Sequence, residues 1–134
     1  MSQPLFVITK FRVKEGKLED LQRYYGKILS TVETNEPQII AMHAFVNETG
    51  TEMTSIQVHP NTASLDFHMQ VLKENWDESY SQYGQMMEVL SVEYYGTAPE
   101  SALEMDRQGP WSLSLQPRHI AGFTRSSAGR AYTI

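Results

Sequence analysis

Between Glu52 and His59 the chain alternates with a two-residue period: Met53, Ser55, Gln57 and His59 fall on one face, Thr54, Ile56 and Val58 on the other, as in a sheet segment. Pro60 ends the alternation. Asn61 or Thr62 offers a side-chain oxygen that can cap a helix, and Leu65, His68, Met69, Leu72 and Trp76 then recur three and four positions apart. The stretch therefore predicts a strand, a proline turn and an amphipathic helix whose inward stripe contains a titratable imidazole.

The same reading extends in both directions. Phe6–Val13 is rich in Phe, Val and Ile and ends in the turn-forming Lys14–Glu15–Gly16–Lys17. Leu18, Leu21, Tyr25, Ile28 and Val32 mark a helix over Lys17–Glu33. Gly26 within it signals either close packing against a neighbour or simple tolerance of a poor helix former. Asn35–Glu36–Pro37 breaks the helix, Ile39–Asn47 is strand-like, and Glu48–Thr49–Gly50 turns it back into Glu52–Val58 as a hairpin. Beyond the His68 helix, Tyr80, Tyr83 and Met87 resume helical spacing and Leu90–Tyr95 reads as a last main strand.

The resulting order is an α+β, ferredoxin-like βαββαβ plan over residues 1–95: a four-stranded antiparallel sheet with its helices on one face. Strand residues on both faces are apolar, with Leu5, Val7 and Phe11 opposing Phe6 and Ile8. One helical layer covers only one set, so the other is expected to be buried against a second copy in a homodimer with sheets face to face. Residues 96–134 exceed this plan and form a C-terminal extension expected to pack on the domain or across the dimer seam. Within it Pro99–Met105 suggests a short helix, and Trp111–Leu115 and His119–Phe123 suggest extended segments.

Composition narrows the chemistry. A chain of 134 residues suits one domain with appendages. Sixteen acidic against eleven basic residues give a net charge of −5 with no basic stripe, so nucleic acid is not an expected partner. The apolar run at the N-terminus is too short and too alternating for a membrane span or signal peptide, and a cytoplasmic location is expected. Without cysteine there is no disulfide, thiolate nucleophile or cysteine-ligated zinc. The histidines lack zinc-motif spacing, and neither a phosphate-binding glycine loop nor a GxSxG elbow occurs. No metal site is expected.

The strand order, the VKEGKLEDL opening of the first helix and the VHPNTASLDFHM segment together resemble the antibiotic biosynthesis monooxygenase-like family of dimeric α+β barrels. The likeness spans Leu5–Tyr95 and rests on Gly16–Lys17 with Glu19 and Leu21 behind it, and on Ala63 followed by His68. It implies a homodimer with an apolar pocket in each subunit, between sheet and helices. The activities it implies are cofactor-independent oxygenation of polycyclic aromatic molecules and oxidative haem breakdown. Haem-degrading members use an asparagine on the first strand with a helix histidine and a tryptophan. Thr9 and Lys10 stand here instead, so no cofactor is expected and haem is disfavoured despite His68 and Trp76.

His68 is the candidate catalytic base, because a neutral imidazole accepts a proton from a phenol or an acidic C–H near neutral pH. A histidine hydrogen-bonded inside the core would share its spacing. Trp76, Tyr80 and Tyr83 are candidate aromatic walls, Met69 and Leu72 candidate apolar lining, and His43, in register with Ala41 and Phe45, faces either the pocket or the dimer seam. Aromatic residues at this spacing also build ordinary cores. The sequence thus suggests a monooxygenase-like protein for a small aromatic or polyketide-like molecule. Alternatives are a non-catalytic binding or interaction module, a haem-binding protein and an isomerase.

Overall fold

Each predicted period finds its element in the computed structural model, which describes residues 3–76 and 80–125, with the backbone alone at Trp76, Tyr80 and Ser81. In chain order these are β1 (Leu5–Val13), α1 (Leu18–Asn35), β2 (Ala41–Val46), β3 (Glu52–His59), α2 (Thr62–Trp76), α3 (Tyr80–Met86), β4 (Met87–Tyr95), α4 (Glu100–Gln108) and β5 (Ser112–Gln116). The sheet order is β2-β3-β1-β4-β5. β1 lies in the middle, antiparallel to both β3 and β4, and β2 and β3 form the expected hairpin. Asn47 closes that hairpin, its Oδ1 accepting from the Thr51 and Glu52 N–H groups at 2.9 and 3.1 Å.

The sheet has five strands and is mixed, where the sequence predicts four antiparallel ones. β5 pairs parallel with β4, Val92 beside Leu113 and Tyr94 beside Leu115. A parallel neighbour requires a crossover, and α4 provides it, which is why the extension adds to the sheet instead of folding back as a hairpin. Its Ala102 is fully buried.

Alternation sorts the sheet into two faces. Leu5, Val7, Phe11 and Val13 of β1 are buried beneath the helices, whereas Phe6, Lys10 and Arg12 are exposed on the other side. α1 answers with its own stripe, Leu21, Tyr25, Ile28 and Val32, all buried. A register shift between Lys10 and Phe11 leaves Leu90 of β4 opposite no residue of β1. Such a bulge resets the alternation, so Val89 and Met87 lie on the same face as Val92 and Tyr94. The helix-side core has two centres, one around Phe11, Leu21, Tyr25 and Met53, the other around Leu5, Val7, Leu65 and Tyr94. Among the described residues no helix is long and apolar enough to cross a membrane.

Gly26 has open space around it, since a Cβ there meets nothing within 4 Å. Simple tolerance, not close packing, accounts for it. Gly26→Ala is therefore expected to stabilise the fold by about 0.5–1 kcal/mol, seen as a higher urea midpoint at an unchanged slope.

Candidate functional site

The site begins where α1 ends. Pro37 disfavours helical backbone at the residue before it, and Glu36 leaves the helix with φ −125° and ψ 80° while its N–H still bonds the Val32 carbonyl. That exit turns the Glu36 side chain inward to 2% exposure, against His68 of α2 at 1%. The His68 Nδ1 lies 2.9 Å from each carboxylate oxygen. A carboxylate only accepts, so Nδ1 carries a proton, and in the neutral ring the Nε2 lone pair is free. Nε2 is buried and has no hydrogen-bond partner.

His68 lines a cavity of about 730 Å³ between the sheet and the helices. Its walls are mainly apolar, drawn from both core centres: Val7, Phe11, Ile28, Leu65, Met87 and Val92 all contribute. Polar atoms enter at few points. Tyr25 and Ser55 pair through their hydroxyls at 2.5 Å, and burial pushes the Tyr25 phenol up to about 12, with the Ser55 hydrogen bond opposing. Tyr94 of β4 donates its hydroxyl to Asp106 of α4, and both line the cavity with Trp111. Burial, then the Asp106 hydrogen bond and charge, raise the Tyr94 pKa, so it stays a protonated phenol. Burial also raises Asp106, against the opposing pull of the Tyr94 hydroxyl and the nearby Trp111 N–H. That N–H does not itself reach hydrogen-bond geometry.

Behind His68 stands His59, fully buried, its ring centre 5.7 Å away. Its Nδ1 lies 2.7 Å from the Ser64 hydroxyl and its Nε2 2.9 Å from the Gln57 carbonyl oxygen. With that oxygen accepting, His59 carries its proton on Nε2 and accepts from Ser64. Asn61 in turn accepts from the Ser64 N–H at 2.9 Å, the expected helix cap. Burial, reinforced by charge on His68, pulls the His59 pKa from 6.5 down to about 3.

Of the candidates from the sequence, His68, Met69, Leu72 and Tyr83 line the cavity. His43 does not. It pairs with Ile56 and shares the outer face, exposed beside Phe45, while its neighbour Met42 pairs with Gln57 and faces inward. Alternation establishes that Met42 and His43 oppose each other; only the pairing with β3 says which is inside. The side chains of Trp76 and Tyr80 lie outside the described residues. Glu36, Tyr94, Asp106 and Trp111 are site residues that the sequence reading missed. One signal was available: Ser55, Gln57 and His59 form a polar face on a strand whose other face is Ile56 and Val58, and it is the polar face that turns inward. Among the described residues no group of three or more histidine, cysteine, aspartate or glutamate side chains is placed to hold a metal ion.

The sheet and helices share their fold with solved structures, some of them provisionally named antibiotic biosynthesis monooxygenases. MupZ from Pseudomonas fluorescens matches with a TM-score of 0.68 at 15% identity, over 93% of this chain and 98% of its own. The cofactor-independent oxygenase SnoaB from Streptomyces nogalater matches with a TM-score of 0.60 at 6% identity, over 73% of this chain and 96% of its own. A protein from Caulobacter crescentus, provisionally named an antibiotic biosynthesis monooxygenase, gives 0.60 at 14% identity over 73% and 92%. Coverage of 93% of 134 residues has to extend into the C-terminal extension, which begins at Gly96. At the level of sequence, neither a family model nor a curated protein matches.

The lowered His59 pKa has a consequence for stability. Between about 6.5 and about 3 the unfolded chain takes a proton that the folded one refuses, so this contribution is complete above pH 6.5 and is lost as the pH falls. Chemical denaturation across pH 4–7 should show stability falling by up to about 1.4 kcal/mol per pH unit more in the wild type than in His59→Asn.

Proposed function

We propose that this protein binds a small, largely aromatic or polyketide-like molecule in the cavity and oxygenates it with His68 as the base. The observation that carries the reading is a buried, carboxylate-held imidazole in the wall of an apolar cavity, with its Nε2 unpartnered. The SnoaB name supplies the reaction type for a chain of the same fold. His68 Nε2 removes a proton from a phenol or an activated methylene, and Glu36 holds the ring in the required tautomer and stabilises the imidazolium that forms. The substrate anion gives one electron to molecular oxygen, and the radical and superoxide combine to a peroxide anion. His68 returns the proton to make the hydroperoxide. At a methylene carbon, loss of water then leaves a ketone, so one O₂ is consumed and one of its atoms stays in the product. The anion is itself the reductant, and the reading needs no resident cofactor.

His68→Gln is expected to reduce oxygen uptake with hydroxylated anthrone-type substrates by about 10²- to 10⁴-fold, and Glu36→Gln by less, measured with an oxygen electrode. Failure of the wild type to consume oxygen with such a panel, together with unchanged ligand binding in His68→Ala, overturns the reading. Turnover indifferent to oxygen would identify an isomerase using the same base.

We also propose that a second copy covers the outer sheet face. Phe45 there is 62% exposed and Phe6 37%, with Ile8, Ile56 and Val58 beside them on the same face. Phe45→Lys is expected to shift the sedimenting species from dimer to monomer.

A further inference from the structure

Beyond β5 the chain leaves the sheet as an exposed arm. Every residue from Ser114 to Arg125 is exposed, and among the described residues no hydrogen bond or ion pair joins 117–125 to the rest of the chain. The ring contact found there is internal, the Arg125 guanidinium 4.9 Å over Phe123. Yet the arm carries Ile120 at 96% exposure and Phe123 at 83%, the most exposed large apolar side chains among the described residues. Both border a groove of about 940 Å³ whose opposite wall includes Phe6 and Tyr95. Phe6 and Tyr95 are paired neighbours on the outer sheet face, so the arm runs beside that face without closing onto it.

Charge selects the occupant. All sixteen acidic residues precede the arm, with eight of the eleven basic ones, whereas residues 117–134 carry Arg118, Arg125 and Arg130 and no acidic residue. Two such acidic bodies repel when their faces meet, and a cationic arm between them offsets the repulsion. The same acidic body disfavours nucleic acid or an anionic membrane as the arm's partner. A second copy offers both surfaces that the arm needs. Its outer face presents apolar side chains for Ile120 and Phe123, and Glu93, paired with Ile8 on that face, is a carboxylate for the arginines.

We propose that residues 117–125 form a dimer clasp: the arm of each copy packs on the other, burying Ile120 and Phe123 there and setting Arg118 and Arg125 against its acidic surface. The inference rests on a second copy covering the outer face. The test is sedimentation velocity over a dilution series, at low and high salt. The double variant Ile120→Ser/Phe123→Ser is expected to weaken the dimer by about 10²-fold or more and to leave the thermal melt of the monomer unchanged. Arg118→Gln/Arg125→Gln is expected to weaken it about three- to tenfold at low salt and to match the wild type at high salt. A dimer that Phe45→Lys splits but the apolar double variant leaves intact overturns the inference alone, because the faces then meet without the arms. So does a lowered monomer melt in the apolar variant, which places the arm on its own body, and so does loss of binding to phosphatidylserine vesicles with dimerisation intact, which makes the arm a membrane contact. An arginine variant as tight as the wild type at low salt also overturns it. A wild type that is monomeric throughout, or a dimer indifferent to Phe45→Lys and to the apolar variant alike, overturns the covered face and the inference together.

Discussion

The contact between Glu36 and His68 withdraws two ionisable groups from water and makes each the other's main polar neighbour. Removing one partner of such a pair costs about 3–5 kcal/mol, because the remaining group is stranded in a low-dielectric interior. The pair ties the end of α1 to the middle of α2 across 32 positions of sequence. Both helices must sit over the sheet for it to form. Apolar packing of Leu21, Ile28 and Leu65 brings the helices there but is indifferent to rotation by a few degrees, whereas two oxygens at 2.9 Å from one nitrogen are not. The pair therefore fixes the orientation of the imidazole, and the apolar cores supply the energy to hold it. Burial, reinforced by charge on His68, keeps the second imidazole, His59, neutral, with Ser64 and Gln57 occupying its two nitrogens.

Much of the fold could be read from periodicity, because period is a local property. The stripes Leu21, Tyr25, Ile28, Val32 and Leu65, His68 each lie within one helix, and the alternation of Glu52–His59 lies within one strand. What escaped was whatever depends on a distant partner. Glu36 resembled a helix breaker because the residue before Pro37 is one; nothing near it in sequence says that the break points a carboxylate at His68. Composition puts His43 on β2 without choosing a face, and its pairing with Ile56 sends it outward. β5 is five residues long and mostly exposed. Its membership in the sheet follows from the α4 crossover and the free edge of β4, neither of which its own composition reveals.

A sheet face buried under helices is ordinarily filled to close packing. Here the filling stops short, leaving the cavity between the two core centres. The residues at its edge explain why it does not collapse. Tyr25 and Tyr94 are bulky and braced by hydrogen bonds to Ser55 and Asp106, so each stands as a post between helix layer and sheet. The bulge beside Leu90 contributes too, because without the reset in alternation Val89 and Met87 would turn toward the outer face and the cavity would lose that wall.

The barrel and the extension contribute different parts of this cavity. Glu36, His68, Tyr25 and Ser55 come from the βαββαβ elements, whereas Asp106 and Trp111 come from the C-terminal extension. The buried Glu36–His68 pair, with the tautomer it fixes, comes from the end of α1 and from α2 of the barrel. Asp106 of α4 and Trp111, which follows the turn at Gly109, add polar groups to the cavity wall. The two parts are packed together, because α4 rests on the helix that carries His68: Ala102 shares a core centre with Leu65, and the Ser101 hydroxyl donates to Asp66 at 2.7 Å. A substitution in the buried face of α4 therefore reaches α2 directly, and the position of the imidazole depends on the extension as well as on the barrel.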